Sequence, residues 1–289
     1  MPGPRFRRGR TRRRRVLLAV TLVLVLAGVA AFTWWWVKDV PHPGHYGMRT
    51  ISFSSGQRIL HESRSEQAVV PASGGEGRPL LVMLHGRGGS AHSVIGNQLF
   101  AALQALGPKA PDVIALDGDD ASYYHDRADG RWGTYVMREA IPDGLRVTHA
   151  DPHRIEITGI SMGGFGALDI ARLWPGRWCA VGANSAAIFY PGYMAEGSFD
   201  SAEDFARHDL LAAARRDPNI YRGVPVWIDT GTTDFFRKAD TQFANELEAG
   251  RSPVTFHVWP GGHGDTHWNG HYPDYIRFFA DALARCPGR

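Results

Sequence analysis

The chain has 289 residues, 44% hydrophobic and 21% charged, an ordinary balance for one packed α/β domain or at most two small ones. Its formal charge of +3 misleads: eight arginines fall within the first fifteen residues, so 3 − 8 leaves −5 for residues 16 to 289. A mildly acidic folded part excludes nucleic-acid binding by charge, and two cysteines are too few for a disulfide scaffold or a zinc cluster.

Residues 1–15 form an Arg-rich tail. Residues 16–37 (VLLAVTLVLVLAGVAAFTWWWV) carry no charge. As a helix their 22 residues would span about 33 Å, enough for a bilayer core. Arginines before the run and Trp34, Trp35 and Trp36 at its end predict a signal anchor with the domain outside the cytoplasm. The alternative is a cleaved signal peptide, with a small-residue site near Gly28-Val29-Ala30. Residues 38–46 read as a Pro/Gly tether, and 47–289 as the globular domain.

Within that domain, GMRTISFS and QRILHES read as an antiparallel pair around Ser55-Gly56, followed by a loop at 73–79. Apolar runs of strand length then recur at 80–85, 113–117, 154–159, 179–184, 224–229 and 254–259. Helical stretches are expected at 92–106, 135–147, 162–173, 235–248 and 272–284. Continuous apolar runs alternating with helices predict a mostly parallel sheet covered on both faces. Residues 188–222, with a helical piece in SAEDFARHDLLAAARR, are long enough to form a small cap over a site.

The chemistry centres on GISMGG, residues 159–164. By chance G-x-S-x-G would arise roughly once in five chains of this length, so its setting decides. A strand ends at Ile157 and a helix starts at Met162, which is the strand–turn–helix that a nucleophile elbow needs around Ser161. No lysine follows the glycines, as a phosphate loop would require. A serine nucleophile needs a histidine base and an orienting acid, in the order Ser, acid, His. Asp234 and His263 sit in loops after later strands; Asp229, at the strand end itself, is the rival acid. The oxyanion donors expected are the backbone N–H groups of Met162 and of Arg87, in the HGRGGS loop. Asp119, Asp120, Tyr123, Tyr124 and Trp132 follow the VIALD strand; they line a substrate groove or form a solvated turn. His263, Asp265, His267 and His271 lack an H-E-x-x-H pattern, so His267 and His271 read as ordinary polar residues heading the last helix, and no metal or cofactor is required.

With these motifs in place, the chain resembles the esterase D family of α/β-hydrolases, which includes S-formylglutathione hydrolases, feruloyl and acetyl-xylan esterases, and mycolyltransferases. The resemblance rests on LLVMLHGRGG, DGDDASYYHD, GISMGGFGALDIA, IDTGTTDFF and WPGGHGDTHWNGHYPDYIRFF, in family order over most of residues 79–280. It implies an α/β-hydrolase fold, Asp234 as the acid and His263 as the base. The predicted anchor sets the chain apart from the family's cytosolic thioesterases. In that topology Cys286 ends the last helix and Cys179 starts a strand at the edge opposite the site, where a disulfide fits; two free thiols are the alternative. The expected activity is hydrolysis of a small-molecule or cell-envelope ester. Acyl transfer to a sugar or lipid hydroxyl, or a non-catalytic binding role on the same fold, are the alternatives.

Overall fold

In the computed structural model the described residues are Thr21 and 41–286. The Arg-rich tail and the predicted anchor at 16–37 lie outside them, apart from Thr21. Among the described residues no helix is long and apolar enough to cross a membrane.

The domain is built on an eight-stranded sheet in the order β1-β2-β4-β3-β7-β8-β9-β10. β1 (Met48–Ser55), β2 (Arg64–Pro71) and β4 (Asp112–Leu116) pair antiparallel in turn. β3 (Leu80–Leu84), β7 (Ile155–Gly159), β8 (Val181–Asn184), β9 (Val226–Gly231) and β10 (Val254–Trp259) continue from β4 in parallel. A two-stranded ribbon, β5 (Asp126–Arg127) with β6 (Gly130–Arg131), decorates the loop after β4. This is the mostly parallel, helix-covered sheet expected of the α/β-hydrolase fold.

Alternation along β3 shows why both faces are covered. Leu80, Val82 and Leu84 enter one core, while Leu81 and Met83 enter the other, and all five are fully buried. α1 (Asn97–Leu106) and α8 (Tyr272–Arg285) cover the second face, with Leu99, Phe100, Tyr275 and Phe279 in its core. The first face is covered by three helices. α2 runs through Trp132–Tyr135, a π turn at Val136–Ala140 and Ile141–Thr148; α3 is Met162–Leu173 and α6 is Arg237–Glu248. Between β8 and β9, the segment expected as a cap carries two short helices, α4 (Ala202–His208) and α5 (Leu210–Arg216). Asp209 separates them and caps α5 by accepting the Ala212 N–H. One more short helix, α7 (Asp265–Gly270), precedes α8.

One predicted strand is displaced. QRILHES is a turn, and β1 pairs instead with residues 64–71. The Glu139 carboxylate accepts the N–H groups of Arg58 and Ile59, at 3.0 and 2.8 Å, and so takes donors that a sheet ladder would need. The tether's second half forms a 3-10 turn, Pro43–Tyr46, that docks on α1 through Tyr46 against Phe100. At the opposite end of the chain, Cys179, just before β8, is joined to Cys286, which closes α8.

Candidate active site

The end of β7 turns into α3 at Ser161, whose φ of 55° and ψ of −113° are costly for a residue with a Cβ. The conformation is imposed from several sides. The Ser161 N–H donates to Asn184 O at 3.0 Å, and Ser161 O accepts from Phe165 and Ala187. The turn is so tight that a Cβ on Gly163 would stand 2.1 Å from Leu84 O. Ser161 thus projects from a rigid corner with its Oγ free for a side-chain partner.

That partner is His263. Its Nε2 lies 2.9 Å from Ser161 Oγ, and its Nδ1 lies 2.9 Å from Asp234 Oδ2. Asp234 is buried, and its other oxygen accepts the Phe236 N–H at 2.8 Å. Burial pulls the Asp234 carboxyl upward. The hydrogen bonds from His263 and the Phe236 N–H outweigh it and hold the group below the ordinary aspartate range. An ionised acid fixes Nδ1–H on the histidine and leaves Nε2 with a lone pair toward the serine. Asp229, the rival acid, is engaged elsewhere: Trp227 Nε1 donates to it at 2.7 Å, and His267 Nε2 at 3.2 Å.

The HGRGGS loop lies against Ser161. A Cβ on Gly86 would be 3.5 Å from Ser161 Cβ. Met162 directly follows Ser161 at the corner, and Arg87 directly follows Gly86 in the loop. His85 holds this loop in place. Its Nε2 accepts the Gly118 N–H at 2.9 Å, so Nδ1 carries the proton and donates to Gly86 O at 2.8 Å. The Arg87 side chain reaches outward and donates to Glu196 O at 2.9 Å, which ties the loop to the segment between β8 and β9.

Ser161 and His263 open onto a cleft of about 430 Å³ whose walls include Arg87, Tyr123, Ala195, Phe235 and Trp268. Of the three aromatics expected in a groove, Tyr123 alone lines it. Tyr124 is fully buried, its OH accepting the His85 N–H at 3.0 Å. Trp132 is buried with its ring under the Arg64 guanidinium. Both lie in the core because the loop after β4 folds back under the elbow instead of standing in solvent. Asp120 serves through its backbone, accepting the Gly88 N–H, and Asp119 pairs with Arg64.

Sequence reasoning missed the aromatic collar on the histidine. Phe235, Phe236 and Trp268 hold ring centroids 4.5, 5.3 and 5.1 Å from His263. The signal was present in DFF, directly after the acid, and in HW, shortly after the base. His267 and His271 also do more than head a helix. His267 is buried on Asp229, and the His271 ring stacks on Trp259 at 3.7 Å. The His267 and His271 rings stand 5.1 Å apart, edge to face. A convergent set of ligand types lies elsewhere, at His125, Asp204 and His208.

The esterase family model, described as "Putative esterase", matches residues 68–279. The iron(III) enterobactin esterase of Dickeya dadantii (strain 3937) is 27% identical over 215 residues, covering 70% of this chain and 47% of its own. The chain thus spans about half the length of the curated relative it matches. Among solved structures, a ferulic acid esterase superposes with a TM-score of 0.72 at 18% identity, over 82% of this chain and 98% of its own. An S-formylglutathione hydrolase from Agrobacterium tumefaciens gives 0.69 at 19%, over 82% and 96%. At these identities the two structures share the fold.

Proposed function

The chain belongs to the esterase family, and from that premise we propose that it works as a serine hydrolase of carboxylic esters through Ser161, His263 and Asp234. The observation that carries the reading is the unbroken relay from Asp234 through His263 to Ser161, with both contacts at 2.9 Å and the serine on a strained corner.

In the proposed reaction His263 Nε2 takes the Ser161 proton as Oγ attacks the ester carbonyl carbon. The carbonyl oxygen becomes an oxyanion facing the Met162 and Arg87 N–H groups. The imidazolium is stabilised by Asp234 and by the surrounding aromatic faces. It returns the proton to the departing alkoxide as the carbonyl re-forms, which leaves an acyl-serine and a free alcohol. Water, deprotonated by His263, then releases the acid and restores Ser161.

Ser161→Ala should lower ester turnover on the order of 10⁶-fold and abolish fluorophosphonate labelling. Wild-type protein that resists the label, or an alanine variant that still cleaves a p-nitrophenyl ester, sinks the mechanism. A substrate panel drawn from the relatives' names should include ferric enterobactin, feruloyl esters and S-formylglutathione. Product analysis with a competing alcohol separates hydrolysis from acyl transfer.

The location proposed is the outer side of a membrane, anchored by residues 16–37. Its supports are the arginine run, the three tryptophans and a cysteine pair of the kind that persists in an oxidising compartment. Protease added to intact cells should remove the domain; protection would place it inside.

A further inference from the structure

A group of ligand-type side chains outside the triad meets at one buried point. His125 comes from the loop after β4, two residues beyond Tyr123 of the cleft wall. Asp204 and His208 stand one turn apart on α4. The donor atoms of the three all lie within 4.8 Å of one another, and all three residues are buried. Asp169, on α3, stands behind them, 2.7 Å from His208 Nδ1.

The contacts show what this arrangement lacks. His208 Nδ1 is engaged by Asp169, and its Nε2 faces the cluster. That nitrogen stands 3.8 Å from Asp204 Oδ1, too far for a hydrogen bond. His125 Nε2 lies 3.1 Å from Asp204 Oδ2, while its Nδ1 is buried without a partner.

We propose that His125, His208 and Asp204 form a binding site for a divalent transition metal ion of the zinc class. Two imidazoles and one carboxylate select zinc, cobalt or copper over calcium or magnesium. His125 would ligate through Nε2 with its proton shifted to Nδ1. Asp169, hydrogen-bonded to the far nitrogen of His208, is the outer carboxylate that orients a ligating imidazole. Ligand bonds of about 2.0–2.1 Å ask the three side chains to close in by roughly an ångström.

The charges allow this. Arg172 neutralises Asp169 from a nearly buried position. Arg207 holds Asp204 Oδ1 at 2.8 Å, but its side chain is 63% exposed, so it can swing into water as the ion enters. The remaining ion, two neutral imidazoles and one carboxylate carry a single net positive charge. The ion would bind α4 to the loop that carries Tyr123, fixing one wall of the cleft from behind without touching the reacting atoms.

The test uses full-length protein stripped with EDTA and titrated with Co²⁺ and then Zn²⁺. Expected are one equivalent bound, the visible bands of low-coordinate cobalt, and a Tm raised by several degrees with zinc. His208→Gln and Asp204→Asn should each weaken binding at least tenfold while leaving the circular dichroism spectrum and the fluorophosphonate labelling of Ser161 intact. If those variants fail to fold, the anomalous scattering of zinc in wild-type crystals decides, with a peak expected between Asp204 and His208. Absence of stoichiometric binding, binding that survives both substitutions, or a peak at surface histidines such as His61 or His92 overturns the proposal.

Discussion

Ser161 holds a backbone conformation that costs on the order of 1–3 kcal/mol, and the glycines beside it make that conformation attainable. Gly163→Ala would drive a methyl into the carbonyl oxygens of Leu84 and His85, 2.1 and 2.7 Å away. It should cost at least about 1–3 kcal/mol in urea melts and lower kcat by shifting the nucleophile. Asp234→Asn keeps the shape but lets the imidazole take the wrong tautomer, so kcat should fall on the order of 10⁴-fold. Asp229→Asn, at a carboxylate bonded to Trp227 and His267, should leave far more activity; similar losses in both would break the assignment of the acid. Glu66 offers a separate reading in pH. Burial lifts its carboxyl from 4.5 to about 7, against the hydrogen bonds from Tyr135, the Asp117 N–H and Ser55. Between those values the native chain holds a proton that the unfolded chain has released, so stability falls as pH rises. The penalty is absent below the window and complete above about 7, at roughly 3 kcal/mol. Glu66→Gln should flatten that slope in melts taken on either side of the window.

At the scale of elements, what could be read from the sequence was what is local. Six strands announced themselves as apolar runs because a buried parallel strand needs no partner's sequence to be recognised. The predicted helix at 162–173 was found at Met162–Leu173, since the elbow glycines fix its start and Trp174-Pro175 follows its end. The second strand was misplaced because Glu139, about 80 residues away, captures the N–H groups of Arg58 and Ile59. Tyr124 and Trp132 were read as groove residues for the same reason: whether a loop aromatic faces in or out depends on what packs above it. The hydrogen-bonded trio of Ser161, His263 and Asp234 was legible because each member sits in a loop with its own turn signal, and chain order supplied the rest. The cluster of His125, Asp204 and His208 was not, since its members come from two distant stretches that no spacing rule connects.

For the whole molecule, the Cys179–Cys286 bond joins positions 107 residues apart at the base of the sheet. In the chain-entropy account, closing a loop of about that length restrains the unfolded state by roughly 4–5 kcal/mol. Cys286→Ser should therefore lower the free energy of unfolding by several kcal/mol, measured by urea melts, while kcat/KM stays near wild type. A collapse in activity at full folding would mean that the bond reaches the site.

The segment between β8 and β9 is held over the cleft by two arginines, and both grip main-chain oxygens: Arg87 takes Glu196 O and Arg127 takes Gly197 O. A carbonyl is the same whatever side chain it carries. The path of this stretch is therefore specified by its anchors and by Met194 and Ala195, which pack on the core, while the exposed Tyr193 is spared that duty. Diversity can accumulate at that position at little risk to folding, and a library confined to it would leave the course of the stretch over the cleft unchanged.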